Sequence, residues 1–198
     1  MARTGMADLI QELRTRTFAG TADWTLGTVS YWSDNQLQSV LDKHRTDFFE
    51  VELMAQEEIH AAAGDASAGG TVQYKRYVSP LGNLEAIDSG TAYFALKYSN
   101  GGTVTQSYTV DYFAGRIDFT ADQGGTVINL TGRSFDVNEA AADVWAAKAS
   151  YYASAYDVQT DSHGLKRSQL YAQAKAQEAY FRSLAGARVL DMERSDTL

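Results

Sequence analysis

The chain contains no cysteine among its 198 residues. That absence removes disulfide frameworks, thiolate nucleophiles and zinc-thiolate sites together, and it fits synthesis in a reducing compartment. No apolar run approaches the ~18 residues of a membrane-spanning helix, so a soluble protein with no membrane partner is expected. The N-terminal stretch MARTGMADLIQELRTRTFAG lacks the apolar core and small-residue cleavage pattern of a secretory signal, so export is not expected either. Basic residues are in deficit, with 17 Lys and Arg against 25 Asp and Glu and a net charge of −8. A protein that grips nucleic acid by its phosphates needs the opposite balance, because Lys and Arg supply that affinity by releasing counterions. A surface that DNA slides past is still compatible with it.

What is present is an ordinary globular composition, 44% hydrophobic and 21% charged, enough for one domain or one domain with an insertion. The acidity is uneven. Residues 1–66 carry 5 basic and 11 acidic side chains (net −6), residues 67–131 carry 4 and 5 (−1), and residues 132–198 carry 8 and 9 (−1). Of the 12 tyrosines, Tyr151, Tyr152, Tyr156, Tyr171 and Tyr180 exceed what a thin two-helix contact hides, and Tyr151, Tyr152, Tyr171 and Tyr180 are candidates for a subunit interface.

Periodicity divides the chain into parts. Met6, Leu9, Ile10, Leu13 and Thr17 line one face of a first helix over 6–18. GTADWTLGTVSYW reads as a connection, after which Ser33 or Asp34 caps a second helix whose face holds Leu37, Val40, Leu41 and His44. DFFEVELM alternates, placing Phe49, Val51 and Leu53 on one side and Phe48, Glu50 and Glu52 on the other. The small residues of AAAGDASAGG open a stretch of period two, with strands expected at TVQYKRYV, TAYFALKY, residues 103–112, RIDFT and TVINLT. From 132 the period lengthens into an alanine-rich helix. Asp136 and Glu139 suggest its cap, and Val137, Ala140, Ala141, Val144, Lys148, Tyr151 and Ala155 form its stripe. A turn at DVQTDSHG leads to a last helix closed by Gly186. The expected fold is therefore α+β: a small bundle of N-terminal helices and two C-terminal helices, with an antiparallel β-hairpin unit inserted in the middle. Its parts are 1–66, with an acidic strand; 67–131, the inserted β unit; 132–186, a helical hairpin packing on the N-terminal helices; and 187–198, a charged tail.

Candidate chemistry is sparse. The motif GGTV recurs at 69–72, 101–104 and 124–127, but each copy runs into a strand, whereas a phosphate cradle needs a helix N-terminus. It reads as turn chemistry. The histidines His44, His60 and His163 are not at ligand spacing, and Asp157, Asp161 and His163 read first as capping and turn residues. The acids Asp47, Glu50, Glu52, Glu57 and Glu58 lack the glycine hinge of a calcium loop and read as a solvated face. No G-x-S-x-G elbow is present. No catalytic residue, metal site or cofactor is expected; a metal-dependent hydrolase using Asp and His is the outlying alternative.

Three stretches in order, YWSDNQLQSVLDKHRTD at 31–47, RIDFTADQGGTVINLTGRSFDVNEAAADVWAAKA at 116–149 and YDVQTDSHGLKRSQ at 156–169, resemble the head-to-tail connector (adaptor or neck) proteins of tailed bacteriophages. In that family a Ser-Asp-capped helix, a β-hairpin ending in a Gly-Arg-aromatic-Asp turn, and a turn into a final helix follow one another. The resemblance implies a non-enzymatic virion protein, made in the host cytoplasm and placed at the neck. It would form a ring, commonly of twelve subunits, between the portal and a tail-completion or stopper protein, with DNA passing through the lumen. It further implies that the tail 187–198, with Val189, Leu190, Met192 and Leu198, docks on the portal. The acidic strand would turn Glu50 and Glu52 toward the lumen. Another virion component, a tail-completion or head-decoration protein, is the nearest alternative.

Overall fold

The structure is a computed structural model that describes residues 2–60, 71–87, 93–153, 158–160, 163–165 and 167–186. Contacts divide the chain into two compact units, one ending at Val137 and one beginning at Asn138. The fold is α+β with antiparallel pairing.

In the first unit a 3-10 turn, Thr4–Met6, runs into α1 (Ala7–Thr17). Met6, Leu9, Ile10, Leu13 and Thr17 are all buried, the face their spacing requires. The segment read as a connection is instead a hairpin, β1 (Trp24–Leu26) and β2 (Val29–Tyr31), turning at Gly27 with φ of 63°. Its strands are only three residues long and mostly exposed, so burial leaves no period in the sequence. An aromatic cluster holds it: Trp24 stacks on Tyr31 at 5.3 Å, and buried Trp32 meets both rings edge-on at 5.6 and 5.2 Å. Ser33 then caps α2 (Asp34–Lys43) in a reciprocal capping box with Gln36, an arrangement that stabilises a helix start by about 1 kcal/mol.

β3 (Arg45–Glu52) and β4 (Met54–His60) are separated by Leu53 alone, yet they belong to different sheets. The remaining strands of this unit are β5 (Thr71–Val78), β6 (Ala95–Tyr98), β7 (Tyr108–Asp111), β8 (Arg116–Phe119) and β9 (Ile128–Phe135). They form a three-stranded sheet ordered β3-β9-β6 and a four-stranded sheet ordered β4-β5-β8-β7. The β unit expected at 67–131 thus draws on both flanks, since β5 pairs with β4 and β9 pairs with β3.

Four local expectations are corrected. In β3 a bulge between Phe48 and Val51, with Glu50 at φ of 50°, moves the strand out of simple alternation, so Phe48 is fully buried and Phe49 is 69% exposed. GRSFD is not a turn: its first four residues continue β9, and Asp136 donates its backbone N–H to the His44 carbonyl. The third GGTV joins β8 to β9 across two sheets rather than closing a hairpin, and Gly124 and Gly125 supply the left-handed backbone (φ 60° and 70°). The long alternation over 103–112 yields a strand only at Tyr108–Asp111, while Thr103 makes a single bridge to Lys97.

The second unit is a helical hairpin, with α3 (Val137–Ala153) and α4 (Arg167–Leu184) joined through short strands β10 (Val158–Thr160) and β11 (His163–Leu165). The expected turn therefore contains a ladder. Val137, Ala140, Ala141, Val144 and Lys148 are buried as expected, and Ala142, Trp145 and Ala149 widen the stripe. Arg182 bridges Glu139 and Asp143 at 3.0 and 3.3 Å, and the Asn138 amide donates to the Leu184 carbonyl, so the start of α3 meets the end of α4. Gly186 is not left-handed, so it does not close α4 in the expected way; Ala185 still donates to Phe181 in the helical pattern.

Candidate functional site

The acidic edge is built by β3, which among the described residues pairs with β9 alone and so is one border of its sheet. Glu50 and Glu52 are both exposed. The bulge is fixed by the Glu50 N–H, which donates to the Thr131 hydroxyl at 3.0 Å. The Glu50 carboxylate reaches Lys97 at 3.1 Å, and Glu52 has no ion pair among the described residues. Further along, Glu57 accepts from the Tyr74 hydroxyl at 2.8 Å and Glu58 pairs with Arg76 at 3.2 Å. The negative charge of these strands is therefore partly offset within each sheet, by Lys97 at Glu50 and by Arg76 at Glu58.

Beside it lies a clamp that sequence reasoning missed. Arg3, at the start of the chain, donates to both oxygens of Asp42 at 2.7 and 3.0 Å and to Glu85 at 2.7 Å; its backbone N–H donates to Gln38 at 2.6 Å. Glu85 is 1% exposed, and Arg133 approaches it at 3.6 Å while also pairing with Asp47 and lying 3.3 Å over the Tyr93 ring. Burial favours the neutral form of Asp42, but the hydrogen bonds and charge of Arg3, helped by Gln38 and Arg45, hold its carboxyl below the ordinary value. The available signal was a lone acid between apolar neighbours in LGNLEAI. Gly132 next to Arg133 has a steric duty: a Cβ there would lie 2.9 Å from the Phe48 ring.

The hollows in this unit offer little to a small ligand. One of about 540 Å³ opens between Arg3, Ile10, Arg14 and Asp34, but Arg3 is committed to carboxylates, and Arg14 to the Ala19, Gly20 and Trp32 carbonyls and Asp34. Another of about 190 Å³ lies against Phe49, Tyr93 and Arg133. Among the described residues no group of three or more His, Asp or Glu side chains is placed to hold a metal ion. Asp157 and Asp161, and the side chains of His60 and His163, lie outside the described residues.

The candidate interface tyrosines fall into two pairs. Tyr151 and Tyr152 are half-buried and meet each other at 5.7 Å, whereas Tyr171 and Tyr180 on α4 are exposed. Among the described side chains of α4 only Ala174 and Phe181 are buried, seven residues apart; Leu170 and Leu184 are also exposed. The tail residues Val189, Leu190, Met192 and Leu198 lie outside the described residues. Compared with known protein families, curated proteins and solved structures, the chain finds no match in any of the three. What the arrangement offers chemically is surface: an acidic edge and apolar side chains in water.

Proposed function

We propose that the chain is a structural virion protein that forms a ring, twelve-membered as is common in the connector family it resembles, joining the portal of a tailed bacteriophage to its tail and passing DNA through the lumen. The observation that carries this reading is α4, an 18-residue helix that leaves Leu170, Tyr171, Tyr180 and Leu184 in water. Apolar groups gathered on one element are covered in a protein that works as part of an assembly. The resemblance supplies which assembly. Its first stretch corresponds to the capping box of α2, its second to β9 entering α3, and its third to the β10–β11 ladder ahead of α4.

In this reading Glu50 and Glu52 face the passing DNA. Like charge repels the phosphates over roughly a Debye length, ~10 Å at 0.1 M salt, and keeps the genome from adhering. Lys97 reduces the share of Glu50, so Glu52 contributes more. The tail 187–198 docks on the portal, and the opposite ring face meets a tail-completion or stopper protein. Negative-stain imaging of the chain with isolated portal tests this: closed rings seated on portal are expected, and a chain that stays monomeric and ignores portal refutes it. Deleting residues 192–198 should leave the circular dichroism unchanged and weaken portal attachment.

The β4–β5 hairpin favours a second reading. Ile59 stands opposite Val72 and both are exposed, an apolar pair suited to a capsid or tail subunit, as in a tail-completion or head-decoration protein. Binding to capsid shells without portal affinity would support it.

A further inference from the structure

We propose that copies of this chain join head to tail, with the β1–β2 hairpin of one copy packed on the outer face of α4 of the next. This deepens the ring reading and rests on its self-assembly. The argument begins from charge. Each copy carries −8, so two copies repel wherever their acidic surfaces meet, and a contact through apolar, uncharged surface avoids that cost. Phe49, Met54 and Ile59 are exposed, but they alternate with Glu50, Glu52, Glu57 and Glu58. A contact there would bring like charges together.

Two surfaces away from these carboxylates fit one another. The first is the hairpin: residues 24–33 (WTLGTVSYWS) contain no charged side chain, and at its tip Leu26 and Val29 face each other, 65% and 46% exposed. The Trp24, Tyr31 and Trp32 cluster holds the hairpin in shape, so little ordering is left to occur on docking. The second is α4. Beyond Arg167 at its start, its charged residues Lys175, Glu178 and Arg182 share one stripe by their three- and four-residue spacing, and they pair with one another and with Glu139 and Asp143. On a separate stripe Ala172, Ala176, Ala179 and Ser183 recur at the same spacing, all exposed, with Tyr180 alongside.

The shapes are complementary. A row of small side chains admits a projecting Leu-Val pair closely, and the Tyr180 ring supplies a flanking wall. Because the hairpin and the helix are different surfaces, each copy has one of each to offer. Such a heterologous contact continues from copy to copy and closes when the rotation between copies is a fraction of a full turn.

The test uses the full chain with Leu26→Glu or Ala176→Glu. Both sites are exposed, and glutamate is a good helix former at 176, so the circular dichroism should match wild type. Sedimentation at millimolar concentration is expected to show wild-type oligomers, with each single variant weakened by roughly 100-fold or more and monomeric, because a carboxylate is driven into an apolar contact. Mixing the two variants is the decisive arm. One retains its α4 face and the other its hairpin, so the mixture should give one-to-one pairs and nothing larger. Variants that assemble as wild type does, or a mixture that stays monomeric, overturn the contact. A wild type that is monomeric at this concentration also overturns it, while the ring reading is judged separately by imaging on portal.

Discussion

Replacing Arg3 with methionine removes a guanidinium that joins the start of the chain to α2 and to the buried Glu85. The loss can be worked from the geometry. Its bond to Glu85 is 2.7 Å long and reaches a carboxylate that is 1% exposed, so it falls in the range of charge-assisted bonds, ~1.5–3 kcal/mol. The two bonds to Asp42 join groups about a quarter exposed (25% and 27%), where solvent screening leaves ~0–1 kcal/mol. Arg133 stays 3.6 Å from Glu85 and keeps the total below the ~3–5 kcal/mol of a buried charge left alone. Urea unfolding of Arg3→Met should therefore show a loss of about 2–3 kcal/mol, and adding Glu85→Gln should restore about 1 kcal/mol by removing the stranded charge. The reasoning fails if Arg3→Met lies within ~0.5 kcal/mol of wild type, or if Glu85→Gln makes the Arg3 variant worse.

The same clamp sets an acid limit. Asp42 is held below its ordinary value in the folded chain, so its contribution is fully present above the unfolded pKa of ~3.9 and is lost as pH falls through the lower folded value. Unfolding followed from pH 6 downward should steepen below about pH 4, and less so in Arg3→Met. The bulge in β3 predicts opposite outcomes for adjacent residues in thermal or urea unfolding: Phe48→Ala should cost ~3–5 kcal/mol and Phe49→Ser should fall within ~0.5 kcal/mol of wild type. Gly132→Ala should cost ~1–3 kcal/mol by pushing on the Phe48 ring, and Phe48→Leu should cost less in that background than alone, measured in a double-mutant cycle.

The helices were legible because their burial repeats at the helical period. The α1 face, the Ser33 cap and the Val137-to-Lys148 stripe follow from spacing and capping chemistry alone. What stayed hidden depends on partners distant in sequence. Phe48 and Phe49 are chemically identical, and only a bulge, fixed by the Thr131 hydroxyl far along the chain, decides which one is buried. The Trp24-to-Tyr31 hairpin leaves no alternation because aromatic stacking rather than a buried face holds it. The exposed edge carrying Glu50 and Glu52 could be anticipated from the acid count, but the Lys97 partner that offsets Glu50 could not, because it arrives from across β9.

The pairing of β3 with β9 also orders events during synthesis. Residue 52 ends one strand and residue 128 begins the other, so β3 leaves the ribosome with its partner not yet made. At ~5–20 residues per second the intervening chain takes roughly 4–15 s to appear. For that interval Phe48, Phe49 and Val51 form an unpaired, aggregation-prone strand, and the two glutamates set among and just after them act as gatekeepers. Glu50 and Glu52 thus protect the nascent chain before its sheet is complete, and replacing both with glutamine should lower the soluble yield of newly made protein even where the finished fold is unchanged.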